Sequence, residues 1–239
     1  GGKHNAHRLN TLHGLRSLCP DLPSERSEQG GLATNQAEIR QFNAVIAGVG
    51  GQGNILASEI FAAAAVKAGY KVRVGETFGA AQRGGPVASY VRLGSSVFSP
   101  IVSPRSVHLI VGFEPVEALR NASKFMAPKG VVVLNTRPII PTSVSMGKDR
   151  YPSTHEIVKA MEKLGASKVV AFDATEMAEK LGNPIIMNMV MLGALAGTGI
   201  LPFDAEVIRE TMKERIPGAL LEINLRAFDA GFDAVREKS

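Results

Sequence analysis

Apolar and polar positions fall into blocks that mark out the elements of this chain. From Phe42 to Val49 the sequence is apolar except at Asn43. It then breaks at Gly48, Gly50, Gly51 and Gly53, and from Ile55 to Lys67 it is polar only at Ser58, Glu59 and Lys67. A short apolar run that closes on glycines and opens into an Ala-rich segment predicts strand, tight turn and helix. A helix apolar nearly all round is normally covered on both sides, so a partner subunit or a further layer is expected over this one. Gly69 supplies a stop, and Lys71 to Val74 alternates as a short second strand. Gly75 to Pro86 carries too many glycines for a regular element and reads as a loop.

Pro86 to Leu93 alternates as another strand, and Ser95 to Pro104 reads as a hairpin or irregular strand. Val107 to Val111, Gly130 to Leu134 and Val169 to Phe172 are further strands. Glu114 to Phe125 is a helix with acids at its start and Arg120 and Lys124 near its end, as the helix dipole favours. Asn135-Thr136-Arg137-Pro138 opens a proline-punctuated crossing to Pro152. Ser153 with Glu156 three residues on makes a capping box for a helix to Leu164, and Thr175 to Leu181 is a short helix. Ile185 to Ala196, rich in Met and Gly, reads as a core helix. Asp204 to Arg215 and Ala219 to Arg236 are amphipathic helices. Strands alternating with helices predict an α/β, Rossmann-like, mainly parallel sheet with helices on both faces and a C-terminal helical segment. Residues 39–239 form one domain in this reading. Residues 1–38 are polar and aperiodic, and read as a disordered or partner-dependent arm.

Composition narrows the function classes. The chain has 239 residues, 45% hydrophobic, with 27 basic against 22 acidic side chains. That modest positive charge, with no aromatic-rich basic patch, argues against nucleic acid and suits a phosphorylated ligand or an acidic partner. Cys19 is the single cysteine, so a disulfide framework, a cysteine zinc site and a cysteine-held iron–sulfur cluster within the chain are excluded. His4, His7 and His13 lie in the arm without an arranged carboxylate or thiolate, so no metal site is read there. No apolar run spans a bilayer, and the first residues lack a signal-peptide core. A cytoplasmic location is expected.

The candidate chemistry lies in two glycine-rich stretches. Gly48, Gly50 and Gly53 have the G-x-G-x-x-G spacing, which permits a tight turn and close approach by a phosphate at a helix N-terminus. Glycines that merely let helix pack on sheet are the structural alternative. Glu76 stands near the distance at which a dinucleotide-binding acid is sought. Gln82 and Arg83, before Gly84 and Gly85, form the densest polar group with Glu76. Arg83 suits a bidentate clamp on phosphate or carboxylate, or equally an ion pair with Glu76. His108, among apolar neighbours, reads as a hydrogen-bonded core histidine. No catalytic acid/base constellation is present.

The run Gly48-Val-Gly-Gly-Gln-Gly, followed by Glu76-Thr-Phe-Gly-Ala-Ala-Gln-Arg-Gly-Gly, resembles the paired signatures of the gamma-type subunit of 2-oxoacid:ferredoxin oxidoreductases. Gly112-Phe-Glu-Pro-Val-Glu-Ala-Leu-Arg and Asn135-Thr-Arg-Pro with Pro141 resemble, more narrowly, the small subunit of the indolepyruvate enzymes. The resemblance runs from about Phe42 to Arg236. It implies a Rossmann-like unit that docks on a larger subunit carrying thiamine diphosphate and [4Fe-4S] clusters. The assembled enzyme would decarboxylate a 2-oxoacid oxidatively to an acyl-CoA and pass electrons to ferredoxin. This chain would bind no cofactor alone. Gly48, Gly50, Gly51, Gln52, Gly53, Glu76, Gln82, Arg83, Gly84 and Gly85 are the residues expected to help position coenzyme A or the cofactor diphosphate. A stand-alone NAD(P)-dependent oxidoreductase and a non-catalytic assembly subunit are the alternatives.

Overall fold

A computed structural model describes residues 39–79 and 84–237, all within one unit, Ala37–Ser239. The arm 1–38, with its histidines and Cys19, lies outside the described residues, as do Gln82 and Arg83. All eight residues of β1 (Phe42–Val49) are buried, which fits a strand covered on both faces. It is followed by α1 (Asn54–Lys67), β2 (Val72–Phe78), β3 (Pro86–Leu93) and β4 (Val107–Gly112). Then come α2 (Pro115–Phe125), β5 (Met126–Asn135), a one-turn α3 (Thr142–Ser145), α4 (Thr154–Lys163) and β6 (Lys168–Phe172). After α5 (Ala174–Lys180), a 3-10 turn (Pro184–Ile186) leads into α6 (Met187–Gly197), α7 (Ala205–Arg215) and α8 (Gly218–Arg236).

The six strands lie in the order β2-β3-β1-β4-β5-β6. β1, β4, β5 and β6 pair in parallel, while β3 is antiparallel to both β1 and β2. The sheet is therefore mainly parallel, with one reversed strand inserted beside β1. Successive β1 side chains feed opposite cores, as a period of two requires. Ala44 and Ile46 join the core containing Ile60 and Phe61 of α1 and most of α6, whereas Val45 and Ala47 join one containing Ala118 of α2 and Ile157 of α4.

Local signals account for the element ends. Glu114 caps α2 by accepting from Glu117 N, ahead of Pro115 at the first helical position. The capping box of Ser153 and Glu156 forms as expected. Every residue of α6 is buried, and it packs on α8 through bare backbone: a Cβ at Gly193 or Gly231 would collide with the carbonyl of Phe228 or Val190.

Two expectations are corrected. The second strand does not stop at Val74 but continues through Gly75 and Glu76 to Phe78, because β3 offers a partner for every residue. Ladder pairing outweighs the low strand propensity of one glycine. Ser95 to Pro104 forms neither hairpin nor strand; it is a loop pinned by Arg92 Nη1, which donates to the carbonyls of Ser99 and Ile101 at 2.6 and 2.5 Å. The further layer expected over α1 is supplied in part by α7, and Ile55, Leu56 and Val66 remain exposed within this unit.

Candidate functional site

The two glycine-rich stretches meet. Gly50 N donates to Gly85 O at 2.9 Å, and Gly84 N donates back to Gly50 O at 3.3 Å. Each glycine has its own reason. A Cβ at Gly48 would sit 2.5 Å from Gln52 Oε1 and 2.9 Å from Phe113 Cβ, so packing forbids one. Gly51 and Gly53 have φ of +103° and +79°, a region that side chains with a Cβ avoid. Gly53 is the N-cap of α1 and offers no side-chain cap, and no acid lies in the first turn. The start of α1 thus keeps its positive dipole end free of a capping carboxylate.

Gln52 is used by the chain itself. Its Oε1 accepts from Val49 N at 2.9 Å and its Nε2 donates to Phe113 O at 3.0 Å, tying the turn to the end of β4. Buried Asn135 donates to the same carbonyl and to Thr175 Oγ1, and accepts from Ala174 N. Asn54 is also buried; its Nδ2 donates to Val87 O, and its Oδ1 has no partner among the described residues.

Beside the turn, at the carboxyl ends of β1 and β5, lies a cleft of ≈ 320 Å³ lined by Gly51, Gln52, Arg137, Ile139, Ile185 and Met187. Arg137 is a site residue that the sequence reading missed. Its position just past the end of a parallel strand, where open α/β sheets bind ligands, was the available signal. Its guanidinium lies 3.0 Å from Asp173 and 3.6 Å from Glu179. The hydrogen bond to Asp173 raises its pKa further, and the two carboxylates leave it no surplus charge for an anion.

Glu76 is not in a loop. It lies in β2 opposite Ser89, which in turn lies opposite Ile46, so two strand spacings, roughly 9–10 Å, separate it from β1. In a dinucleotide fold the strand after the first helix is the direct neighbour of β1 and brings its terminal acid to the ribose. Here β3 intervenes, and Glu76 is exposed. His108 Nδ1 accepts from Asn43 N at 3.1 Å, its ring stacks on Phe42, and burial lowers its pKa. It is a satisfied, neutral histidine away from the cleft. Among the described residues no group of three or more His, Cys, Asp or Glu is placed to hold a metal ion, and no helix is long and apolar enough to cross a membrane.

The chain is similar to known proteins over most of its length. Residues 43–234 match the family model described as pyruvate ferredoxin/flavodoxin oxidoreductase. The chain is 43% identical over 199 residues to indolepyruvate oxidoreductase subunit IorB of Pyrococcus horikoshii, covering 83% of this chain and 98% of that one. The fold is similar to that of the keto/oxoacid ferredoxin oxidoreductase gamma subunit of Geobacter sulfurreducens, with a TM-score of 0.59 at 23% identity, over 81% of this chain and 98% of that one. It also resembles part of a 2-oxoglutarate:ferredoxin oxidoreductase of Magnetococcus marinus solved with 2-oxoglutarate, coenzyme A and succinyl-CoA. There the TM-score is 0.62 at 22% identity, and the match spans 83% of this chain but 31% of that one. A match over most of the chain's length, together with a relative of this identity, makes the protein a member of the pyruvate ferredoxin/flavodoxin oxidoreductase family.

Proposed function

We propose that this chain is the small subunit of a thiamine-diphosphate-dependent 2-oxoacid:ferredoxin oxidoreductase acting on indolepyruvate or another aryl pyruvate. The larger subunit would carry the thiamine diphosphate and [4Fe-4S] clusters, and ferredoxin would take the electrons. The preference for an aryl substrate draws on the 43% identity to an indolepyruvate oxidoreductase subunit. The share of this chain in the work is to seat an anionic group, from coenzyme A or from the cofactor diphosphate. One observation carries that reading: the reciprocal bonds of Gly50 with Gly84 and Gly85 bring the second glycine stretch to the uncapped start of α1. Backbone N–H groups and a helix N-terminus without an acid form a seat for negative charge. Gln82 and Arg83 precede Gly84 in sequence, and in this proposal Arg83 supplies the clamp with Gln82 and Glu76 holding it.

The test uses the complex of this chain with its co-expressed large subunit. Arg83→Ala is expected to raise the KM for coenzyme A about tenfold, or to lower turnover by a similar factor, as the loss of a charge-assisted hydrogen bond predicts. Unchanged kinetics with weakened assembly would instead make the glycine stretches an interface. That assembly reading is favoured by one feature of the site, since Gln52 spends both ends of its amide within the chain.

A further inference from the structure

β2 is the outermost strand of the sheet, and among the described residues no strand pairs with its outer side, although at its start Val72 O accepts from Arg73 Nη1 at 2.8 Å. Register decides which of its backbone groups face outward. Gly94 N donates to Lys71 O at 3.1 Å and Gly79 N to Pro86 O at 2.7 Å, both in the register that sets Val72 opposite Leu93. In an antiparallel ladder, directly bonded pairs alternate with unbonded ones. Arg73, Gly75 and Thr77 therefore turn their N–H and C=O groups toward β3. Val72, Val74, Glu76 and Phe78 turn theirs away from the sheet.

Both flanks of this edge are shaped to receive side chains. On the α1 side, Val74 and Phe78 are 38% and 60% exposed, and Val66 of α1 is 58% exposed. On the other side a groove of ≈ 340 Å³ has Gly75, Thr77 and Tyr90 as its floor and Ile101 and Phe125 in its walls. It adjoins a second groove of ≈ 240 Å³ that shares Thr77 and Tyr90 and is bordered by Arg120 and Lys124. Arg73 shares the groove side by strand alternation. Arg73, Arg120 and Lys124 outnumber the two carboxylates at these grooves, Glu76 on the larger one and Glu117, which Arg120 already pairs at 2.9 Å.

We infer that β2 is extended by one strand contributed by the larger subunit, an extended segment with apolar residues toward α1 and acidic residues toward the groove. Main-chain bonds along the edge provide affinity in such strand addition, and alternate side-chain sites provide specificity. An open seven-residue edge is otherwise a hazard, and its basic flank disfavours pairing with a second copy, which would set like charges side by side. The inference rests on the small-subunit reading proposed above.

Amide hydrogen exchange on the free chain and on the assembled complex tests it residue by residue. In the free chain the amides of Val74, Glu76 and Phe78 exchange fast while those of Arg73, Gly75 and Thr77 are protected. In the complex the first set is expected to slow by about tenfold or more. An active complex in which Val74 and Glu76 exchange as in the free chain overturns the inference and leaves the small-subunit reading intact. If no complex forms, both fall. Val74→Pro removes one outward N–H without touching the bonds to β3, and is expected to weaken assembly about tenfold. Val74→Ala, which keeps the N–H, is expected to weaken it less. With thermal melting confirming that both variants fold, wild-type affinity for Val74→Pro also overturns the inference.

Discussion

Gln52 and Asn135 donate to the same oxygen, the main-chain carbonyl of Phe113, each at 3.0 Å. One side chain leaves the turn after β1 and the other the end of β5, and the shared acceptor stands at the end of β4. Three adjacent parallel strands are thus tied together where their carboxyl ends form the floor of the cleft.

Replacing either amide loosens that tie to a different degree. Gln52→Ala leaves Val49 N without its side-chain acceptor, while Phe113 O keeps its bond from Asn135. A cost of about 1–2 kcal/mol is expected. Asn135→Ala strips partners from Ala174 N and Thr175 as well, in a fully buried position, and is expected to cost about 3 kcal/mol or more. Urea unfolding of both variants measures this, and a Gln52→Ala cost equal to that of Asn135→Ala would contradict the shared-acceptor account.

The glycines of the turn are expected to rank by mechanism. Gly51→Ala meets no atom within 4 Å and suffers only from its positive φ, a cost of about 1–2 kcal/mol. Gly53→Ala adds a collision 2.5 Å from Asn188 Nδ2, and Gly48→Ala collides with Gln52, Asn54 and Phe113 despite an ordinary φ. Both are expected to cost about 2–3 kcal/mol. Thermal melting of the three variants should place Gly51→Ala as the mildest.

The contact between α6 and α8 has no slack. Gly193→Ala and Gly231→Ala each drive a methyl into the backbone of the facing helix, where no rotamer offers relief. Each is expected to destabilise the chain by about 3 kcal/mol. The separation of α6 from α8 would open slightly in a crystal structure of either variant. A variant with an unchanged melting temperature would show that the helices sit farther apart than described.

His108 gives stability a definite pH dependence. Burial lowers its folded pKa below the ordinary 6.5, and accepting from Asn43 N requires a neutral ring. Between those two values the unfolded chain binds more protons than the folded one, so stability falls as pH falls through that window. His108→Gln keeps an acceptor and removes the titration. The difference in urea midpoint between wild type and His108→Gln should therefore shift in favour of the variant from pH 7 to pH 5. A constant difference would mean that the histidine titrates alike in both states.

Much of the fold could be read from the chain because its signals are local. Glu114 and Ser153 cap their helices with their own side chains, and the eight residues of β1 are apolar enough to mark a strand covered on both faces. The edge was misjudged for the opposite reason. Val72 to Phe78 is a strand because β3 pairs with every residue of it, and a pairing partner leaves no mark on the paired sequence. Arg137 escaped notice because its carboxylates, Asp173 and Glu179, come from the end of β6 and from α5, which only the fold brings beside it.

Sequence alone settled most of the element order, the α/β class and the need for glycine in two places, since propensity, capping and turn conformation act over a few residues. Tertiary structure decided that the two glycine stretches bond to each other, that an antiparallel strand separates Glu76 from β1, and that the amide of Gln52 serves the chain itself. Those facts depend on contacts between segments far apart in the chain. Such contacts are selected by burial and hydrogen bonding over the whole unit, so no short stretch of residues encodes them.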